Sequence, residues 1–281
     1  MSCPKPGYLG VASYNGSIIK CTGLSLDVAQ EALFYNATLG LRDVVVGNKK
    51  GPASTGAHTP SSQKGLMRPG VKISNGSADF PLTEANGTYF LEEAKTGGGL
   101  NFKVQYDCEK GRQCPLCFVD SYSFSVSQGG YATIKVTLVG WATTDIAAFH
   151  NSNSTTVERI IDFSRVNIGL PVSDICIRDF NFTISNSFSP IYTAGANFVG
   201  SLLYPAAIRP QIQSVTGSIT MYGKKVPLVE HSPSTTHSTI TVSAPGYSVS
   251  MKVVFKPLTV SGAPGLYTSV WGFQGVDYPF G

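Results

Sequence analysis

The chain runs to 281 residues, enough for two cores of ordinary size, since single domains cluster around ~100 to 150 residues. Charged residues make up only 14%, against 30 glycines and 17 prolines, which argues against a helical bundle and for a turn-rich, all-β chain. A net charge of +4 with no concentrated basic run excludes a dedicated nucleic-acid-binding face, and no segment approaches the ~18 apolar residues of a membrane span.

Met1 to Gly10 has no apolar secretory core, so the reading is of a protein made and first kept in the cytoplasm. Residues 1–16 read as an irregular lead-in of Gly, Pro and Ser, able to lie over a neighbour as an arm. Residues 17–28 give the first strand, with Leu24, Leu26 and Val28 in step, although Val28 to Leu33 also fits a short helical turn. The polar loop 46–64 is far longer than the usual connection of ~4 to 6 residues, and is either mobile or ordered by a partner. Arg68 to Leu82 resumes extended structure. Residues 82–95 are the best helix candidate, stopped by Gly97-Gly98-Gly99 and weakened by Gly87. Leu100 to Tyr106 is a further strand.

Residues 118–140, FVDSYSFSVSQGGYATIKVTLVG, are the clearest element. Tyr122, Phe124 and Val126 alternate with serines, Gln128-Gly129-Gly130 breaks the run, and Ile134, Val136 and Leu138 alternate again. That is an antiparallel hairpin with one buried face. Its pattern returns at 177–185 (IRDFNFTIS), at 239–247 (TITVSAPGY) and more weakly at 24–28. Residues 143–164 form a polar connector and the expected domain junction. Beyond it, Arg209 to Met221 aligns without a gap to Arg68 to Phe80, with Arg, Pro, Gly and Ser coinciding at 68/209, 69/210, 76/217 and 77/218. The repeated order of strand, strand and hairpin reads as a tandem duplication, a first domain over 1–150 and a second over 151–281.

Chemistry-bearing motifs are sparse. His58, His150, His231 and His237 all fall in polar loops, and no G-x-S-x-G elbow, phosphate loop or H-E-x-x-H helix is present. The reading is therefore not an enzyme, with no cofactor and no metal. Cys108, Cys114 and Cys117 have the only metal-like spacing. A closed zinc site needs four ligands, so reduced thiols are favoured over zinc, with a disulfide formed after release from the cell between the two. The Arg68-Pro69 and Arg209-Pro210 pairs read equally as anchors for a neighbouring subunit's carboxylates or as strand entries where Pro fixes the backbone at a sheet edge.

With the central hairpin VDSYSFSVSQGGYATIKVTLVG, the second-half opening IRDFNFTISNSFSPIYTAG and the segment SVTGSITMYG laid out in this order, the chain resembles the tail tube proteins of long-tailed bacteriophages. The resemblance implies a mainly β fold: two tandem tube domains of packed, roughly orthogonal antiparallel sheets curled into a barrel or sandwich, with one flanking helix. It implies a structural virion protein, assembled in the host cytoplasm, that forms stacked rings around a channel for genome ejection. The ring would hold three subunits with pseudo-six-fold symmetry, or alternatively six. Its partners would be tail terminator, baseplate and tape measure proteins, and a sheath protein if the tail contracts. DNA would pass without specific binding and no membrane anchor is expected. Loop 46–64 would pair ring to ring, making Lys49, Lys50, His58, Lys64, Arg68 and Arg209 the candidate subunit-interface residues. A channel that repels DNA is neutral or acidic, so the net positive charge should lie outside it or between rings. The competing reading is a host- or carbohydrate-binding β-sandwich module of a baseplate or fibre, which exposed Trp and Tyr clusters would mark.

Overall fold

The computed structural model describes residues 10–34, 67–105, 109–150, 158–171, 175–191, 198–199, 202–203, 207–210, 213–222, 237–256, 259–263, 266–276 and 280. It begins with a strand where an irregular lead-in was expected. β1 (Gly10–Tyr14) turns back into β2 (Ser17–Cys21). The turn is Asn15-Gly16, with φ of 46° and 94°, the left-handed pair that matches strand twist in a two-residue hairpin. β3 (Gly23–Phe34) follows after Thr22 and is a strand throughout, which removes the helical alternative for 28–33. β4 (Met67–Pro81) pairs with it from Gly23↔Asp79 to Phe34↔Met67.

The helix expected over 82–95 is confined to α1 (Leu91–Thr96). Ahead of it the Thr83 N–H donates to the Asn86 Oδ1 at 2.8 Å and the Asn86 Nδ2 donates to the Pro81 carbonyl at 3.0 Å. Such local side-chain bonds give the backbone an alternative to the helix. Gly97 ends α1 as anticipated, at φ 71° with its N–H on the Glu93 carbonyl.

β5 (Gly99–Gln105), β6 (Lys110–Ser127) and β7 (Thr133–Gly140) come next, and the last two are the hairpin read from the sequence. Gly129 sits at φ 78° in its turn. β6 changes company along its length. Its first half pairs with β5 and with β8 (Thr144–Ala147), its second half with β7 and with β10 (Cys176–Ser185). The strand therefore belongs first to one layer and then to another.

β9 (Asn167–Gly169) precedes β10. β11 (Phe188–Ile191) pairs with β14 (Ala207–Pro210) in a separate two-stranded sheet, with the short β12 (Phe198–Val199) and β13 (Leu202–Leu203) between them in sequence. β15 (Ser214–Tyr222), β16 (Ser238–Ala244), β17 (Tyr247–Phe255), β18 (Thr259–Ala263) and β19 (Leu266–Gly275) complete the chain. The last two were not read from the sequence. Walking across hydrogen-bonded neighbours gives β3–β4–β7–β6–β10–β15–β19–β17–β16–β9. The fold is mainly β, as expected, and of the two forms the resemblance implied the described residues make the sandwich, with no closed barrel among them.

Alternation makes the core. Phe80, Tyr122, Phe124, Ile134, Val136, Phe180, Phe182, Ile219 and Phe273 point inward and are buried. The ring of Phe124 stacks on Phe182 at 5.7 Å and on Tyr247 at 5.2 Å, so strands from both halves of the chain share one apolar cluster. Each such side chain contributes roughly 1.5 to 3 kcal/mol by leaving water.

Candidate assembly surfaces

The strongest feature outside the core is a ribbon. β7 accompanies β4 only from Ser74 to Pro81, whereas β3 and β4 stay paired seven positions further, to Phe34↔Met67. Beyond Ser74 the two strands run on together past β7, and among the described residues the parallel bridge Leu203↔Val71 joins β4 there. The sequence between Phe34 and Met67 contains loop 46–64. Lys49, Lys50, His58 and Lys64 lie outside the described residues.

Arg68 is on this ribbon, opposite Leu33. Arg209, its sequence counterpart, is on β14 opposite Ser189 and is exposed. The aligned pair thus occupies two different sheets. The aligned glycines and serines behave otherwise: Leu26↔Gly76↔Leu138 in the first half matches Phe182↔Gly217↔Phe273 in the second, with a small residue between two large inward ones.

Among the described residues the long sheet ends on two strands, β3 and β9, that each have a strand neighbour on one side only. β3 pairs with β4 alone; on its other side the Arg112 guanidinium donates to the Leu26 carbonyl at 3.2 Å and lies 3.6 Å from Asp27. At the far end β9 covers β16 only from Thr241 to Ser243. Free strand borders present unpaired N–H and C=O groups, a template for another chain.

The segment after the first half is fastened to the turn ahead of α1. Isolated bridges join Thr83 to Ile160 and Tyr131 to Asp162. The Thr83 hydroxyl donates to Glu158 at 2.9 Å and the Arg165 guanidinium donates to Glu84 at 2.5 Å. That bond from Arg165 holds the Glu84 carboxyl below the usual range, with Arg159 adding to it. Asp162 is lowered chiefly by the Ser164 hydroxyl. Tyr131 and Ile160, 49% and 47% exposed, stand on this seam.

Cys114 and Cys117 are joined by a disulfide, which corrects the expectation of reduced thiols. Both are buried, at the point where β6 carries an extra residue opposite β5. The backbone of Gly140 lies directly against their sulfurs. Cys21 is a buried free thiol and Cys176 an exposed one. Among the described residues no group of three His, Cys, Asp or Glu is placed to hold a metal, and no helix is long and apolar enough to cross a membrane.

The described residues thus include a two-stranded ribbon, β3 with β4, and two end strands of a long sheet. A family model described as phage tail tube protein matches residues 24–225, from the edge strand β3 past the end of β15. The chain belongs to the phage tail tube protein family. It is therefore a structural component of the virion. No curated protein matches the chain. The matched span takes in both the central hairpin and its second-half echo, the segments on which the resemblance rested.

Proposed function

We propose that the protein assembles with copies of itself into stacked rings that form the tail tube, the conduit for genome ejection into the host. The observation that carries this reading is that, among the described residues, the end strands β3 and β9 of one continuous sheet each have a strand neighbour on one side, in a chain of the tail tube family. Border-to-border pairing lets a sheet continue from copy to copy until the ring closes. The reading takes 1–150 and 151–281 as two tube domains, supported by the matching surroundings of Gly76 and Gly217. On that basis three subunits supply six domains per ring, and a six-subunit ring is the alternative.

Loop 46–64 is assigned to the ring-to-ring contact because the paired strands β3 and β4 lead to it and the matching stretch of the second half, from Phe180 to Arg209, is shorter in sequence. Assembly takes place in the host cytoplasm, with tail terminator, baseplate and tape measure proteins as partners, and a sheath protein if the tail contracts. Deleting 46–64 tests the contact: single rings without long tubes are expected, and tubes of undiminished length would refute the assignment. The binding-module alternative gains no support from Trp271, which is buried and stacked on Phe255 at 3.6 Å.

A further inference from the structure

β6 bulges at Cys114 and Cys117, where it passes from one layer to the other, and two neighbouring strands close around that turn. The Leu116 side chain, 40% exposed, lies over the backbone of Gly99 in β5. Just past β7 the Trp141 N–H donates to the Leu116 carbonyl at 3.1 Å. Both sulfurs are buried, with the backbone of Gly140 against them. Gly140 is in turn a shared rung, with Cys117 opposite it on one side and Ser74 on the other. That rung is the last at which β7 holds β4, so the bridge sits at the root of the β3–β4 ribbon.

Such a site has little slack. Protein interiors pack as densely as organic crystals, and extra volume inside them forces the backbone to shift. Two unbonded thiols keep van der Waals separation and take more room than the bridge that replaces them. With Gly140 already against both sulfurs, that room has to come from the end of β7 or from the 114–117 turn. Either movement loosens the rung Ser74↔Gly140↔Cys117 and the Trp141 bond. The ribbon then loses part of its hold on the sheet, while the distant β16–β17 hairpin is untouched.

We propose that Cys114 and Cys117 form a redox latch at the ribbon's root, open as two thiols in the reducing host cytoplasm and closed as a bridge after release. Cytoplasmic thiols keep protein cysteines reduced, and oxidising surroundings let bridges persist. Closing needs an oxidant, here a low-molecular-weight disulfide. The thiolate of one cysteine attacks it and displaces one small thiolate; the thiolate of the other attacks the mixed disulfide and displaces the second. The two protons given up by the cysteines pass to the two small thiolates, so the protein loses two electrons and the reagent gains them. Because both sulfurs are buried, exchange goes through an opened turn, and Leu116 at the surface marks where it opens. The latch's part in assembly rests on the tube reading of the preceding section: the ribbon leads to loop 46–64, and fixing its root stiffens the ring-to-ring contact once the tube is built.

Hydrogen exchange read by mass spectrometry on free subunits, bridged or held reduced by a phosphine, tests the latch. Reduction should speed exchange several-fold over 67–74, 111–118 and 137–141 and leave 239–254 unchanged. Unchanged exchange over 67–74 and 137–141 overturns the coupling; faster exchange everywhere makes the bridge a general staple and overturns it too. A chain carrying Cys114→Ser and Cys117→Ser should match the reduced protein and ignore the phosphine, and a response to phosphine in that chain overturns the assignment to this pair. If that chain does not fold, the comparison within the unsubstituted protein decides. Peptide mapping after equilibration in a glutathione buffer of cytoplasmic poise should find both thiols free, and a bridge that persists there overturns the switch. All these readings use free subunits, so failure to form tubes removes the tube reading and leaves them standing.

Discussion

Gly217 and Gly246 are where single side chains decide the packing. A Cβ on Gly217 would run into the Phe273 ring and the Asn181 carbonyl, and one on Gly246 would meet the Glu84 backbone. Gly246 also sits at φ 73°, a conformation that favours glycine. Gly217→Ala should cost about 1 to 3 kcal/mol by overpacking, and Gly246→Ala about 1 kcal/mol more through backbone strain. Equilibrium denaturation measures both, and an unchanged midpoint for either would contradict the packing described. The sequence showed Gly76 and Gly217 as an aligned pair, but only the register revealed that each separates two large inward residues. The Asn15-Gly16 turn falls at the end of the stretch read as an irregular lead-in, where strands of only five residues on either side carry little alternation.

Buried ionisable groups add a pH dependence. Burial pushes the Cys21 thiol from its ordinary 9.0 up to about 12, and burial raises Tyr122 and Tyr247 as well. These groups stay protonated in the folded chain after they would ionise in the unfolded one. Their contribution is present in full below the unfolded value and is lost as pH rises towards the folded one. Urea midpoints should hold steady up to about pH 9 and fall above it; a rise across that window would contradict the burial.

At the scale of elements, the hairpin 118–140 and the echo at 177–185 were readable because alternation over a long run has one solution when one face is buried. What alternation does not carry is the partner. Phe124 and Phe182 are paired across β6 and β10, so a segment and its echo are neighbours in one sheet. The shortened helix was missed for a different reason: Thr83 and Asn86 compete for the backbone through side-chain bonds that a periodicity reading ignores. The disulfide lay hidden because spacing alone does not separate thiols, zinc and a bridge. It closes a very short loop, so reduction should lower stability by no more than about 2 kcal/mol. Peptide mapping without reductant should find Cys114 linked to Cys117, and a free thiol at both positions would contradict the assignment.

For the whole molecule, the family and the mainly β architecture were legible in the sequence, because strand pattern and turn residues act locally. The candidate interface residues were only partly testable by position. Arg68 and Arg209 were matched in sequence yet lie in different sheets, since the β11–β14 pair draws the second Arg-Pro away from the path taken by the first. Only the register reveals that Ser25, Ser77, Thr137, Ser121, Ser185 and Ser214 lie opposite one another across six strands; in the sequence they look like ordinary polar positions. In the proposed tube, copies join through the end strands of the long sheet. The most direct test is negative-stain electron microscopy of the purified protein, concentrated until any assembly reaches equilibrium. Hollow annuli or tubes of uniform diameter are predicted; particles that stay single at every concentration would contradict the account.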